Sequence, residues 1–409
     1  MAIKKRGLKK EKRPSSWSGE PLLKWPGGKS VELKWITPLL PTHIDRYFEP
    51  FVGGGALWLS LPSTIPAFVN DISRDLIDFY SVIKNREPLF FETIDALFER
   101  WTLLEEVIDL YSPEAIDQLR RVSRQQLSLE EWAEWFAAIT LEQEGLFTPI
   151  LSQRKSRREW SLFVSLLHDS LLDKGRRILQ LEEEHGPLSK KDLAETIESA
   201  LKAAHYYLVR ELYNYPAEYG VKRAQFLALF WFVREYAYAS MFRLNSKGEF
   251  NVPYGGNSYN RKDWRTKVAA FHSEALLKRL ESSEIFAVDF EKFLQEQTPK
   301  ENDFLFIDPP YDSSFSSYDG FGFGEEEHRR LADLLINRCR ARWLLVIQSS
   351  PLIETLYRGA ISRRDQKELR IGSIEKTYRW TIKERNRRST RLLVIANYSL
   401  PMEEMCRAL

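Results

Sequence analysis

The tetrapeptide Asp308-Pro309-Pro310-Tyr311 follows the apolar run Phe304 to Ile307. Ligands of open α/β sheets bind beyond the carboxyl ends of the strands, so a buried strand ending this way points its last residues at a site. The residue types suit one task. An exocyclic amine on a nucleobase is a poor nucleophile because its lone pair is delocalised into the ring. A carboxylate accepts hydrogen bonds and donates none. Asp308 can take one N–H and the Pro309 carbonyl the other, and both bonds favour a more tetrahedral, more nucleophilic nitrogen. Pro309 and Pro310 stiffen the loop, and Tyr311 can stack on the base. The bland alternative is a turn after a strand.

Three other segments carry residues of chemical interest. Glu49-Pro50-Phe51-Val52-Gly53-Gly54-Gly55-Ala56 also follows an apolar run. Its glycines let backbone approach a ligand closely, and a helix after them would offer free N–H groups. Asp71, 18 residues beyond Gly53, can bind ribose hydroxyls. By itself this glycine run is a weak motif and equally a flexible turn. Leu23-Lys24-Trp25-Pro26-Gly27-Gly28-Lys29 places an aromatic face beside a glycine bend. An aromatic wall suits a cation such as a sulfonium, and a surface turn is the other reading. In Arg243-Leu244-Asn245-Ser246-Lys247-Gly248-Glu249-Phe250-Asn251-Val252-Pro253-Tyr254-Gly255, residues Asn245 to Gly248 suggest a hairpin turn between two short strands. Arg and Asn can read guanine and adenine edges; a solvated hairpin is the alternative.

The elements that must position these residues fall into three textures. Residues 21–85 alternate short apolar runs with turns. Arg46 to Glu49 and Ala67 to Asp71 are predicted strands, with a helix over Ala56 to Leu61, giving a βαβ unit. From residue 86 to about 235 the chain is rich in Glu, Leu, Ala, Arg and Trp and poor in Gly, and it reads as helical. Ser112-Pro113-Glu114 predicts a helix start with proline at the first position. Ser128 to Glu131 and Ser189 to Asp192 resemble capping boxes. Trp132, Trp135 and Phe136 have helical spacing and predict a core face. Beyond 280 the strand texture returns, with buried strands predicted over Ile285 to Asp289, Phe304 to Asp308, Trp343 to Ile347 and Leu392 to Ala396. The organisation is therefore a basic tail (1–20), the first part of an α/β core (21–85), an insertion carrying the hairpin 241–256 (86–265) and the second part of the core (266–409).

Composition limits the setting. Lys and Arg number 60 against 58 Asp and Glu, a net charge of +2 that neither demands nor excludes a polyanionic partner. Cys339 and Cys406 are the only cysteines, which suggests neither a disulfide framework nor a zinc site and fits a reducing, cytoplasmic setting. No apolar run is long enough to span a bilayer. The tail MAIKKRGLKKEKR leads into Pro14, Ser15 and Ser16, unlike a signal peptide. It is a solubilising tail or an arm for phosphates.

Taken in order, these segments resemble the Dam-like, D12 class of DNA adenine methyltransferases. That family carries a K-W-x-G-G-K segment, an F-E-P-F-x-G-x-G loop, an N/D strand end, an R-x-N-x-x-G-x-F-N-x-P-x-G hairpin and a D-P-P-Y tetrapeptide. Each is matched here nearly position for position, over residues 20–85 and 225–400; residues 86–220 are not accounted for. The departures are a third glycine in the loop and Leu244 where an aromatic residue is common.

The resemblance implies a Rossmann-like methyltransferase core with a mostly parallel seven-stranded sheet, interrupted by a long helical insertion. It implies S-adenosylmethionine as cofactor, held by Trp25, Lys29, Glu49, Pro50, Phe51, Gly53, Gly55, Asp71, Asp289, Phe290 and Asp308. It places Lys24, Arg243, Asn245, Lys247 and Asn251 against double-stranded DNA. Asp308, Pro309, Pro310 and Tyr311 would carry direct transfer to N6 of a flipped adenine, with no metal. Three rivals differ in what they explain. An N4-cytosine methyltransferase attacks a similar amine, but the motif order and leading Asp favour adenine. A silent DNA-binding module leaves the complete tetrapeptide without a purpose. A nicotinamide-dependent dehydrogenase explains the glycine loop and Asp71 but not the Asp308 segment.

Overall fold

The computed structural model describes residues 19–143, 150–151, 156–311, 323–377 and 389–400. Almost all of the basic tail, and Cys406, lie outside the described residues. The chain divides into two compact units, one formed by residues 1–80 with 263–409 and the other by 81–262.

The first unit is built on a seven-stranded sheet. Its strands are β1 (Tyr47–Glu49), β2 (Ala67–Asn70), β3 (Ser283–Phe286), β4 (Phe304–Ile307), β5 (Arg342–Gln348), β6 (Arg370–Thr377) and β7 (Ser389–Ala396). The order is β3-β2-β1-β4-β5-β7-β6. The pairs from β3 to β5 are parallel; those of β7 with β5 and β6 are antiparallel. The strand order therefore reverses direction between β1 and β4. Such a switch point opens a crevice outside the carboxyl ends of the two strands, and those ends carry Glu49 and Asp308.

Burial explains which strands could be recognised. All four residues of β4 are buried, as are all three of β1. Strand β3 differs from expectation: it spans Ser283–Phe286 rather than Ile285 to Asp289, and Glu284 is exposed. It is the sheet's edge, so one side lacks a partner and its apolar run is not fully covered. β6 has no apolar run to announce it. Its sequence mixes Arg370, Gly372 and Ser373 with Ile371 and Ile374, as a strand at the opposite edge can.

The second unit contains helices Pro88–Ser123, Leu129–Leu141, Ser156–His185, Lys190–Asn214 and Arg223–Tyr236. Ser128 forms the reciprocal cap with Glu131, and the Ser189 hydroxyl accepts from the Asp192 N–H. Trp132 and Phe136 are buried and Trp135 half-buried, stacked on Phe136. One expectation is corrected. Pro113 does not start a helix; it lies inside Pro88–Ser123. An interior proline costs about 3 kcal/mol. Here Val107 and Ile108 before it and Ala115, Ile116 and Leu119 after it are all buried, and this continuous packing outweighs the lost hydrogen bond. No helix among the described residues is long and apolar enough to cross a membrane.

Candidate active site

The loop after β1 turns twice through left-handed backbone, with φ of +47° at Gly53 and +68° at Gly55. These two positions need glycine for that reason, and for space. A Cβ on Gly53 would lie 3.0 Å from the Trp25 ring, and one on Gly55 would lie 2.9 Å from Trp58. Trp25 thus closes over the glycine loop. Helix Ala56–Ser60 follows directly.

Asp71 ties this loop to the end of β2. One of its oxygens accepts the Gly53 N–H at 3.0 Å and the other accepts the Ser73 N–H at 2.9 Å. Tyr80, from helix Arg74–Lys84, donates to the Gly53 carbonyl at 2.8 Å. Its neighbour Asn70, buried, joins three strand ends. The Asn70 amide donates to the carbonyls of Pro50 (3.0 Å) and Val288 (2.9 Å) and accepts the Val288 N–H (3.0 Å). Sequence reasoning passed over Asn70 although it adjoins Asp71. An amide with both donors and acceptor can satisfy loop backbone that no ladder reaches.

Asp308 leaves β4 toward the same crevice and is gripped by Lys29. The Lys29 ammonium lies 2.6 Å from both carboxylate oxygens and 2.9 Å from the Gly27 carbonyl. It also lies 5.2 Å from the centre of the Tyr311 ring. The Lys29 side chain is only 4% exposed and that of Asp308 17%. Burial works against the ammonium, but Asp308 and then Tyr311 outweigh it, and the Lys29 pKa is raised. Pro309 is buried and Pro310 exposed.

Glu49 is buried and accepts the Tyr47 hydroxyl at 2.7 Å. Burial pushes its carboxyl well above the usual range, opposed by the Tyr47 bond and reinforced by the charges of Asp308 and Asp71. Three carboxylates thus gather at the ends of β1, β2 and β4, with one buried lysine among them. Burial favours the neutral form of Glu49, and the Lys29 ammonium offsets the charge of Asp308.

Phe51, Phe290 and Phe323 form an aromatic triangle with centroid separations of 5.3, 5.4 and 5.8 Å. Asp289 caps helix Phe290–Gln297, and the same oxygen that takes the Glu291 N–H also receives Arg330. Its side chain is thus engaged in holding structure. Lys24 is half-buried beside Trp25.

The hairpin belongs to the second unit and is described there alone. Two short strands are expected about the Asn245 to Gly248 turn; the structure has single antiparallel bridges, Leu244↔Phe250 and Ala237↔Tyr254. The hairpin bonds run from the Asn245 N–H to the Glu249 carbonyl (2.8 Å) and from the Asn251 N–H to the Arg243 carbonyl (3.2 Å), while on the other edge Asn214 pairs with the Phe250 N–H (2.9 Å) and carbonyl (3.1 Å) and Tyr206 donates to the Val252 carbonyl. Asn245 turns inward: its carbonyl oxygen accepts from the N–H groups of Lys247 and Glu249, and its amide donates to Glu249. Arg243 and Lys247 are exposed, and the Arg243 Nε donates to Asn251 at 2.9 Å.

The chain matches the family described as D12 class N6 adenine-specific DNA methyltransferase over residues 25–140 and 181–371. It is 26% identical over 386 residues to the type II methyltransferase M1.LlaDCHI of Lactococcus lactis subsp. cremoris, covering 92% of this chain and 95% of that one. It is 26% identical over 330 residues to the type II methyltransferase M.MjaIII of Methanocaldococcus jannaschii, covering 76% and 78%. With the DNA adenine methylase of Haemophilus influenzae it shares 26% identity over 171 residues, 37% of this chain and 56% of that one.

Proposed function

The chain belongs to the D12 class of N6 adenine-specific DNA methyltransferases, and we propose that it takes the methyl group from S-adenosylmethionine and delivers it to a flipped adenine at the end of β4. The donor set fits that cofactor. Asp71 and Asp308 offer carboxylates to cationic and hydroxyl groups, Glu49 adds a buried carboxyl whose neutral form burial favours, the Phe51–Phe290–Phe323 cluster offers aromatic surface, and Gly53 and Gly54 let Trp25 pack directly on the loop backbone. When bound, S-adenosylmethionine would supply a methyl group on a sulfonium, open to attack by a nitrogen lone pair with the neutral thioether as leaving group.

The observation that carries the reading is the position of Asp308-Pro309-Pro310-Tyr311: it ends β4, beside the loop after β1, at the switch point of the sheet. Adenine N6 is inaccessible to a crevice while stacked in a duplex, so the base must leave the helix. Asp308 and the Pro309 carbonyl then accept hydrogen bonds from the two amine N–H groups, and Tyr311 stacks on the ring. Positioning and electrostatics supply the rate, without a covalent intermediate on the protein. Modification-sensitive sequencing of double-stranded DNA treated with protein and S-adenosylmethionine tests this. N6-methyladenine at one recurrent sequence is the expected result; N4-methylcytosine would overturn the base assignment. Two relatives covering most of the chain are named type II methyltransferases, and a site-specific mark of that kind is the role proposed.

Asp71→Ala is expected to weaken S-adenosylmethionine binding at least about tenfold, or roughly 1.4 kcal/mol. It removes an acceptor for the ligand and leaves the Gly53 and Ser73 N–H groups unbonded. Calorimetry on the variant decides; wild-type affinity would remove Asp71 from the site.

In the hairpin we assign contact with DNA to Arg243 and Lys247, with Asn245 shaping the turn and Asn251 orienting Arg243. Because the Arg243 Nε is committed to Asn251, its two terminal nitrogens remain as a parallel pair, the geometry that reads guanine O6 and N7. Arg243→Ala is expected to relax preference at one base pair by about 1–3 kcal/mol. A uniform loss across sequences with a salt slope lower by about 1 would instead mark a phosphate contact.

A further inference from the structure

The group assigned to hold the adenine amine is already occupied. Lys29 touches both oxygens of Asp308 at 2.6 Å and sits over the Tyr311 ring at 5.2 Å. One buried ammonium thus engages both the carboxylate that would accept a hydrogen bond from the amine and the ring that would stack on the base. Methyl transfer also places a positive charge on the amine nitrogen as it forms its new bond. A lysine bound to the same carboxylate opposes that charge and competes for the same lone pairs. Lys29 therefore must give up at least part of its hold before Asp308 can serve. Of the other two carboxyl groups at the crevice, Asp71 is bound to the Gly53 and Ser73 N–H groups and burial favours the neutral form of Glu49, so neither offers Lys29 a better anion to move to. The cofactor of the proposed function carries a carboxylate of its own.

We propose that Lys29 is a positioning residue that couples the two substrates: it holds Asp308 and Tyr311 until the cofactor's carboxylate draws it away, so that adenine is captured only after the cofactor is in place. This rests on the reading of Asp308 and Tyr311 given above. The device needs only rotation of a flexible side chain. Lys29 follows Gly27 and Gly28 in a segment with φ of +76° at Gly27, and its third contact is the Gly27 carbonyl. The interaction is also strong enough to matter, because 4% exposure of the lysine leaves little water to screen it.

The test uses full-length protein and duplex DNA with 2-aminopurine in place of the target adenine at the mapped site. Its fluorescence reports base capture without methyl transfer. Wild-type protein is expected to give little signal alone, a several-fold rise with S-adenosylhomocysteine, and no comparable rise with saturating 5′-methylthioadenosine, which lacks the amino-acid carboxylate. Lys29→Met is expected to give the raised signal with no cofactor at all. Lys29→Arg, which keeps the grip on Asp308, is expected to remain cofactor-dependent, and circular dichroism checks that both variants are folded. A wild-type signal equal with the two ligands, or a folded Lys29→Met variant that still needs S-adenosylhomocysteine, overturns the proposal. If wild-type protein neither binds S-adenosylhomocysteine nor makes N6-methyladenine, the underlying reading fails instead.

Discussion

Asp308→Ala is expected to reduce methyl transfer by at least about 10²–10³-fold, the scale seen when one preorganised hydrogen-bonding group is removed from a polar active site. The loss should fall on the transfer step, because the carboxylate acts on the reacting amine. The structure adds a second effect that the sequence does not suggest. Lys29 is 4% exposed and Asp308 is its carboxylate partner. Breaking a buried pair from one side costs about 3–5 kcal/mol, and the partial exposure of Asp308 puts this case at the low end. Asp308→Ala alone therefore confounds chemistry with stability. The double variant Lys29→Met/Asp308→Ala removes both charges and should recover most of the stability while remaining inactive. Transfer of labelled methyl groups and urea denaturation, measured on wild type and both variants, separate the terms. Transfer by either Asp308 variant at more than a tenth of the wild-type rate would exclude the proposed role.

Asn70→Leu is expected to be the most damaging change outside the tetrapeptide. Its side chain satisfies three backbone groups, the carbonyls of Pro50 and Val288 and the N–H of Val288. Leucine has similar volume and can satisfy none. Each buried group left without a partner costs about 1–3 kcal/mol, so roughly 3–5 kcal/mol is at stake even with some relaxation. A shift of this size lowers the melting temperature by about 10 °C in a unit of this size. Cofactor affinity should fall with it, because Pro50 belongs to the loop after β1 and Val288 immediately precedes Asp289. A variant melting within 2–3 °C of wild type, where about 1 kcal/mol is the limit of what was lost, would show that water replaces the amide.

The sequence displayed β4, the Trp343 to Ile347 stretch of β5 and the Leu392 to Ala396 stretch of β7 because those residues are apolar and buried without a break, and β1 and β2 by short runs that end in turns. It misplaced β3 and did not reveal β6, since strands at the two edges of a sheet need no such run. Pro113 misled for a related reason. Local propensity marks it as a helix start, and only the packing on either side of it shows that the helix continues. At the site, Asp308, Asp71 and the glycines could be singled out by type. What they hold could not. Lys29 and Asp308 are paired across 279 positions of sequence, and no spacing rule reaches that far. Asn245 shows the converse: a residue suited to reading DNA spends its donors and acceptor on its own turn.

Strand β3 pairs with β2 from Ala67↔Ser283 to Asn70↔Phe286, so the ribosome must make all of residues 81–262 between two neighbouring strands. At 5–20 residues per second the delay is roughly 10–40 s. During that time the nascent chain carries β1 and β2 with both outer edges open, and the buried faces of Phe48 and Val69 have nothing to cover them. Helices of the second unit, whose backbone hydrogen bonds are local, can form while the strands wait. Chains released early would consist of a helical body joined to an unfinished sheet, and open strand edges are what aggregation and chaperones both act upon.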